Sequence, residues 1–205
     1  MKKEKNEKMK DKECSYENFL VLFAYTEKAV QEELLAKLRA QPRPDKLCGK
    51  DVPKSLNGIS YGVLDDLKTC ATGDGFQGTD KEDDILGGCA RILLGIGPRE
   101  LQKENVNDVF GFANFVTDEL ERINKLFKSI KIRYSKEEIA AGILELDFGS
   151  FGILDWYAMR MGMVNQNEVR NVAWVRIFQC MKIDCVKNEY ERKLSQQYKK
   201  LNKRK

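Results

Sequence analysis

Residues 104–131 read ENVNDVFGFANFVTDELERINKLFKSIK and indicate the class of fold. Apolar residues recur there at alternating steps of four and three, which keeps them along one side of an α-helix. The members of this series are Val109, Ala113, Val116, Leu120, Ile123, Phe127 and Ile130. Phe112 and Leu126 widen the series, so more than one neighbour can pack against it. The charged residues outside it are Asp118, Glu119, Glu121 and Lys125. The stretch predicts the central helix of an all-α domain, because about three heptads is short for a free-standing coiled coil.

The remaining chain predicts an irregular bundle of about seven or eight helices around this one. No segment alternates apolar and polar residues for long enough to predict a strand. Ser15 is expected to cap a helix that runs to about Arg39 and stops before Pro42 and Pro44. The predicted segments are a charged leader 1–13, an N-terminal helix 14–41, a Pro/Gly-rich linker 42–58, a main helical domain 59–201 and a basic tail 202–205.

Local signals place the helices of the second half. Ser60 is a possible cap for a helix over 59–69, and Ser135 with Glu138 forms a capping box before a short helix over 139–146. Gly149 and Gly152 are expected to interrupt the chain before a helix over 153–161. A helix over 168–182 is expected to precede a separate final stretch over 187–201. The apolar stripe of that final stretch consists of Tyr190, Leu194, Tyr198 and Leu201.

Composition predicts a soluble protein with reduced thiols. The chain has 205 residues, of which 42% are hydrophobic and 33% charged, and a chain of this length can bury a core without disulfides. No run approaches the roughly 18 apolar residues of a membrane-spanning helix, and no apolar segment of signal-peptide type follows the leader. The six cysteines form no C-x-x-C pair and the chain has no histidine, so no zinc site is expected. We therefore expect a cytoplasmic location.

The charge is unevenly distributed along the chain. Of a net charge of +4, residues 1–13 carry +2 and residues 187–205 carry +6, which leaves −4 for the residues between. A nucleic-acid-binding domain would carry its basic patch on the folded body, so nucleic acid is not an expected partner. The basic ends are interpreted as solvated tails, with contact to an acidic partner as the alternative.

Two patterns suggest chemistry but lack its context. GDGFQG, residues 73–78, matches G-x-G-x-x-G, a pattern that binds pyrophosphate between a strand and a helix. Here a predicted helix precedes it and the acids of residues 80–84 follow it, so a flexible loop before a helix capped by Thr79 is favoured. The acids also lack the spacing of a calcium loop. The adjacent carboxylates Asp65–Asp66 and Asp83–Asp84 would point in different directions on a helix.

Asp147 and Asp155 flank a Phe-Gly stretch, and Asp155 is the acid expected to be partly buried. A cap or hydrogen bond is favoured for it over catalysis, because buried acids normally have partners. Without histidine, an enzyme would depend on carboxylates, Lys or Tyr. We expect no catalytic, cofactor or metal site and no small-molecule substrate.

Seven large residues are candidates for a protein-binding surface or for the core: Phe148, Phe151, Trp156, Tyr157, Met159, Met163 and Trp174. Methionine-rich surfaces can adapt to partners, but core filling is favoured for Met159, Met161 and Met163. If Gly149 bends the chain, Phe148 and Trp156 are expected to turn inward against the long helix, and Trp156→Ala is expected to destabilise the protein strongly. If the stretch were exposed, it would become the leading candidate for binding a partner.

Residues 106–198 resemble the tail assembly chaperones of long-tailed bacteriophages in the order of their features. The similar segments are ELERINKLFKSI (119–130), EEIAAGI (137–143), LDFGSFGILDWYA (146–158) and NEYERKLSQQY (188–198). ISYGVLDDLKT (59–69) is similar to the motif that precedes the first helices of such proteins. The leader and the 42–58 linker depart from the family pattern.

The resemblance implies a non-enzymatic binding protein of the host cell cytoplasm. Such proteins hold the long, helical tape measure protein before the tail tube polymerises around it. An adaptable helical surface with exposed apolar residues would suit that role. The alternative is a structural virion or assembly component that packs through its helices, for which the basic ends are the motivation.

Overall fold

The computed structural model describes residues 14–72 and 85–202 and confirms the all-α class. The helices are α1 (Tyr16–Ala24), α2 (Lys28–Arg39), α3 (Tyr61–Thr72), α4 (Ile85–Leu94), α5 (Pro98–Leu101), α6 (Val106–Lys128), α7 (Lys136–Ala140), α8 (Gly149–Met161) and α9 (Trp174–Asn202). Short 3₁₀ turns cover Leu56–Gly58, Ile143–Glu145 and Gln166–Asn171. One antiparallel hairpin joins β1 (Lys46–Leu47) to β2 (Lys50–Asp51), with Lys46 opposite Asp51. In the described parts of the chain, no helix has both the length and the apolarity needed to cross a bilayer.

The chain divides into two compact units. Unit 1 takes the described residues of Met1–Lys54 and Leu67–Leu120, and unit 2 takes those of Ser55–Asp66 and Glu121–Lys205. The boundaries fall inside α3 and α6, whereas the sequence suggests one main domain over 59–201.

The long helix predicted over 104–131 forms as α6, a few residues shorter at each end. Val109, Val116, Leu120 and Ile123 of the predicted apolar series are buried, and Phe112 beside the series is buried with them. Alternating steps of four and three therefore identified the inward side of the helix correctly.

The single helix predicted from Ser15 to about Arg39 is wrong, because the structure breaks it between Ala24 and Lys28. The predicted cap is confirmed, since the backbone N–H of Asn18 donates to Ser15 Oγ at 3.3 Å. At the break, the Phe23 carbonyl accepts one hydrogen bond of 3.2 Å from the Thr26 N–H and another of 2.7 Å from Gln31 Nε2. The second bond ties the first turn of α2 to the end of α1.

The break changes which residues of α1 and α2 face inward. Phe19 and Leu38 are buried, whereas Leu22 and Val30 are exposed. In unit 1, Phe110 meets the rings of both Phe19 and Tyr16 edge-on, at centroid distances of 5.5 and 6.2 Å. Edge-to-face packing of this kind adds to the stabilisation that burial provides.

Residues 42–58 are more than a linker, because they contribute Leu47, Val52 and Leu56 to the buried residues. In unit 1, the carbonyl of Pro42 approaches Gly111 so closely that a Cβ at residue 111 would overlap it. One turn away, Asn114 Nδ2 donates to the carbonyls of Leu38 and Gln41 at 2.9 and 3.1 Å. These contacts fasten the chain to α6 immediately after α2.

Two further helix starts are confirmed. The backbone N–H of Val63 donates to Ser60 Oγ at 3.3 Å, and Ser135 and Glu138 form the predicted capping box, with the Ser135 N–H donating to the Glu138 carboxylate at 2.7 Å. The helix that follows is shorter than predicted, because Gly142 takes a positive φ of 86° and ends it. Glycine adopts that conformation without the strain other residues meet.

The helix predicted over 168–182 is wrong at its start, and its separation from the stretch 187–201 is also wrong. Residues 166–171 form a 3₁₀ turn, and α9 then runs without interruption from Trp174 to Asn202. The start is fixed in unit 2 because Ser60 and Ala173 form a β-bridge, in which the Tyr61 N–H donates to the Val172 carbonyl at 2.7 Å. Backbone paired in this way is extended and cannot be helical.

Trp174 is the largest fully buried side chain of the described residues. Its indole N–H donates to the Leu56 carbonyl at 2.7 Å, and its rings lie 6.0 Å from Phe127 and 6.4 Å from Phe178 between centroids. The residue therefore joins three separate stretches of unit 2.

We predict that Trp174→Ala lowers the free energy of unfolding by about 3–5 kcal/mol, because it removes a buried aromatic and leaves a cavity. Tyr190→Ala, which truncates an exposed aromatic of the same helix, should change it by less than about 0.5 kcal/mol. Urea unfolding followed by circular dichroism measures both. Similar losses for the two variants would contradict the assignment of Trp174 to the core.

Candidate protein-binding surface

The Phe-Gly stretch leads into α8 through one glycine with a left-handed backbone. Gly149 has a φ of +54°, and its N–H donates to the Asp147 carboxylate at 2.8 Å. The helix then continues to Met161, so Gly152 lies inside it and does not interrupt the chain as predicted. A Cβ at Gly152 would approach Phe148 Cβ to 2.9 Å, which shows that Phe148 lies against the first turn.

The expectation that Phe148 turns inward is wrong. Its side chain is 68% exposed, and Phe151 is 58% exposed. The residues that α8 buries are Leu154, Tyr157 and Ala158. Local periodicity allows the Phe-Gly stretch to face either way, and the buried set shows which side packs.

The methionines are also not the core residues that the sequence favours. Met159 is 71% exposed, and Met161 is exposed as well, while Met163 is partly exposed. Phe151 and Met159 are eight residues apart, about 80° around the helix, and Phe148 lies just before the first turn, against Gly152. We call these three residues the α8 face.

The seven predicted candidates thus separate into buried, partly exposed and exposed residues. Tyr157 and Trp174 belong to the core. Trp156 is partly exposed, and the guanidinium of Arg160 lies 5.9 Å from the centre of its ring. That cation also binds Asp184 at 2.9 Å, so it is held beside the indole.

Asp155 has the structural role that the sequence favours. It is partly buried and accepts a hydrogen bond of 2.8 Å from Gln166 Nε2. The bond ties α8 to the 3₁₀ turn that precedes α9.

The other carboxylates considered for chemistry are also engaged in ion pairs or lie outside the described residues. Asp66 and Asp65 both bind Arg170, at 2.6 and 3.4 Å, and the bond to Asp66 raises the pKa of the Arg170 guanidinium. The GDGFQG motif, Thr79 and Asp83–Asp84 lie outside the described residues. Within 14–72 and 85–202, no group of three potential ligands could hold a metal ion.

A cleft of about 280 Å³ in unit 2 lies between the segment after α6 and one side of α9. Its lining includes Arg133, Glu138, Cys185, Glu189 and Arg192. Arg192 binds Glu189 through both carboxylate oxygens at 2.9 Å and lowers the Glu189 pKa. The backbone N–H of Ser135 lowers the pKa of Glu138 in the same way. The two carboxylates of the cleft are thus bound within the chain, and its three cations, Lys131, Arg133 and Arg192, leave a net charge of +1.

No protein-family model, curated protein or solved structure matches this chain.

We predict that Asp155→Ala lowers the free energy of unfolding by about 1 kcal/mol, because the amide of Gln166 loses its acceptor. Asp155→Asn keeps an oxygen acceptor at the same place and should cost less than half as much. Thermal or urea unfolding of the two variants tests this. An equal loss for both would show that the negative charge matters, and not the hydrogen bond.

We predict that the two tryptophans emit differently. In a Trp174→Phe variant the remaining Trp156 is partly exposed to water, so its emission should lie at longer wavelength than that of Trp174 in a Trp156→Phe variant. Fluorescence spectra of the native variants give the comparison. A Trp156 emission as blue as that of Trp174 would instead place Trp156 in the core.

Proposed function

We propose that this chain is a non-enzymatic helical binding protein of the phage tail assembly chaperone type. In this proposal it holds the helical tape measure protein in the host cell cytoplasm before the tail tube polymerises. The observation that carries the proposal is the α8 face, on which two phenylalanines and a methionine are largely exposed. Exposed apolar side chains grouped on one helix are typical of protein-interaction sites.

The α8 face has physical properties that suit a helical client. Phe151 and Met159 are separated by about 12 Å along the helix axis, which is about two turns, a span that a client helix can follow. The helix that carries them is packed in unit 2 through its buried residues Leu154, Tyr157 and Ala158. The unbranched Met159 side chain can adjust to different apolar surfaces.

We predict that Phe148→Ser combined with Phe151→Ser abolishes capture of the tape measure protein encoded near this chain. Both residues are exposed, so the variant should fold as the parent does. Co-expression followed by pull-down and a circular dichroism spectrum tests binding and folding together. A matched control is Leu22→Ser with Tyr25→Ser, which removes two exposed apolar residues from unit 1 and should leave capture intact.

Two outcomes would contradict the proposal. One is a soluble tape measure protein that the parent chain fails to capture. The other is the presence of this chain in purified particles in stoichiometric amount, measured by mass spectrometry, which would favour the structural virion component. Tail tube and tape measure genes on either side of its own gene would support the chaperone.

A further inference from the structure

The C-terminal helix α9 has a second exposed apolar face, distinct in sequence and position from the α8 face. Its members are Ile183, Val186, Tyr190, Leu194, Tyr198 and Leu201, all of them exposed. Ile183 and Leu201 are separated by about five full turns, so the residues form a straight stripe along roughly 27 Å of helix. We call this the α9 stripe.

The opposite side of α9 is the side that unit 2 covers. Cys185, Glu189 and Arg192 line the cleft with residues 131–134, Cys185 Sγ lies 3.2 Å from the Lys131 carbonyl, and Arg133 lies 3.8 Å from Glu189. Helical geometry places Arg192 about 180° from the centre of the α9 stripe. The helix is therefore anchored by its polar side and presents its apolar side to solvent, the reverse of an ordinary surface helix.

Positive charge follows one edge of the stripe. Lys182, Lys193 and Lys200 recur at intervals of 11 and 7 residues, which places all three along the same edge. In the described part of the chain, no carboxylate lies within ion-pair distance of Lys182 or Lys200. Lys193 shares Glu189 with Arg192 and Arg133, so that carboxylate is already surrounded by cations.

The carboxylates near the other edge are already engaged within the chain. Asp184 binds Arg160 at 2.9 Å, and Glu191 lies 3.9 Å from Lys187. A second copy of this chain would therefore bring more unneutralised lysines to the stripe, and few available acids. Charge complementarity requires a partner that is itself acidic.

We propose that the α9 stripe is a docking face for an acidic amphipathic helix of another protein. The partner helix would place apolar residues at steps of three and four against the stripe, with Asp or Glu beside Lys182, Lys193 and Lys200, as flanking charges do in a coiled coil. This goes beyond the proposed function, because it concerns a different face and holds whichever client the α8 face takes.

The test uses the full chain and two synthetic helical peptides of about three heptads. Both have leucine at the inward positions, and one has glutamate and the other lysine at the flanking positions. Fluorescence anisotropy should show that the acidic peptide binds at least about tenfold more tightly than the basic one, and less tightly as salt rises. Equal binding of the two peptides would overturn the proposal.

Two matched variants locate the site. Leu194→Asp places a charge in the stripe and should weaken the acidic peptide at least about tenfold, since an apolar contact is replaced by a desolvated, like-charged group. Leu22→Asp makes the same substitution at an exposed leucine of α1 in unit 1 and should have little effect. Equal loss in both variants would mean that net charge alone governs binding and would overturn the docking face.

Two further measurements test the other occupants of the α9 stripe, a second copy of the chain and a lipid surface. Sedimentation equilibrium of the chain alone should show no dimer that depends on the α9 stripe. A dimer that the Leu194→Asp substitution abolishes would make a second copy of the chain the occupant and would overturn the proposal. Vesicles of phosphatidylserine and phosphatidylcholine should not compete with the acidic peptide. If vesicles compete with the peptide for the parent chain but not for the Leu194→Asp variant, the stripe binds a lipid surface, which would also overturn the proposal.

Discussion

The indole of Trp174 holds together stretches of unit 2 that are more than a hundred residues apart along the chain. Its N–H bonds to the Leu56 carbonyl and its rings pack between Phe127 and Phe178. A buried indole N–H without an acceptor would lower the stability of the fold. The position of Leu56 and the position at which α9 begins therefore depend on one another. The β-bridge between Ser60 and Ala173 runs beside this contact. Together they determine where α9 begins and hence, through helical periodicity, which of its residues face outward.

Both exposed faces result from this arrangement. On α8, the buried Leu154 and Tyr157 leave Phe148, Phe151 and Met159 outside. On α9, Trp174 and Ile177 are buried near the start, while the later part of the helix meets residues 131–134 on the side that carries Cys185, Glu189 and Arg192. The apolar residues between Ile183 and Leu201 consequently have no core to enter. The sequence of α9 changes accordingly, from the stretch 174–178, whose Trp174 and Ile177 enter the core, to a lysine-rich amphipathic pattern in the later turns.

Part of this structure could be predicted from the sequence, because the features concerned depend on residues that are close together in the chain. The caps at Ser15, Ser60 and Ser135 depend on contacts within three or four residues, and all three form. The inward side of α6 follows from a long and regular apolar repeat. The break after Ala24 could not be predicted in this way, because helical spacing continues across it and the bond from Gln31 to Phe23 is visible only in three dimensions. The outward turn of Phe148 also depends on non-local packing. Nothing near it in the sequence says which side of α8 meets the core.

The close approach of Pro42 to Gly111 has a consequence for how this sequence can diverge. The Pro42 carbonyl occupies the space that any side chain at residue 111 would need, and Asn114 holds the adjoining backbone in place. In homologous chains, glycine at this position of α6 should therefore persist even where the surrounding apolar residues exchange freely. Where it is lost, the segment that follows α2 should change length or composition at the same time. The two sites should covary, although sixty-nine residues separate them in the chain.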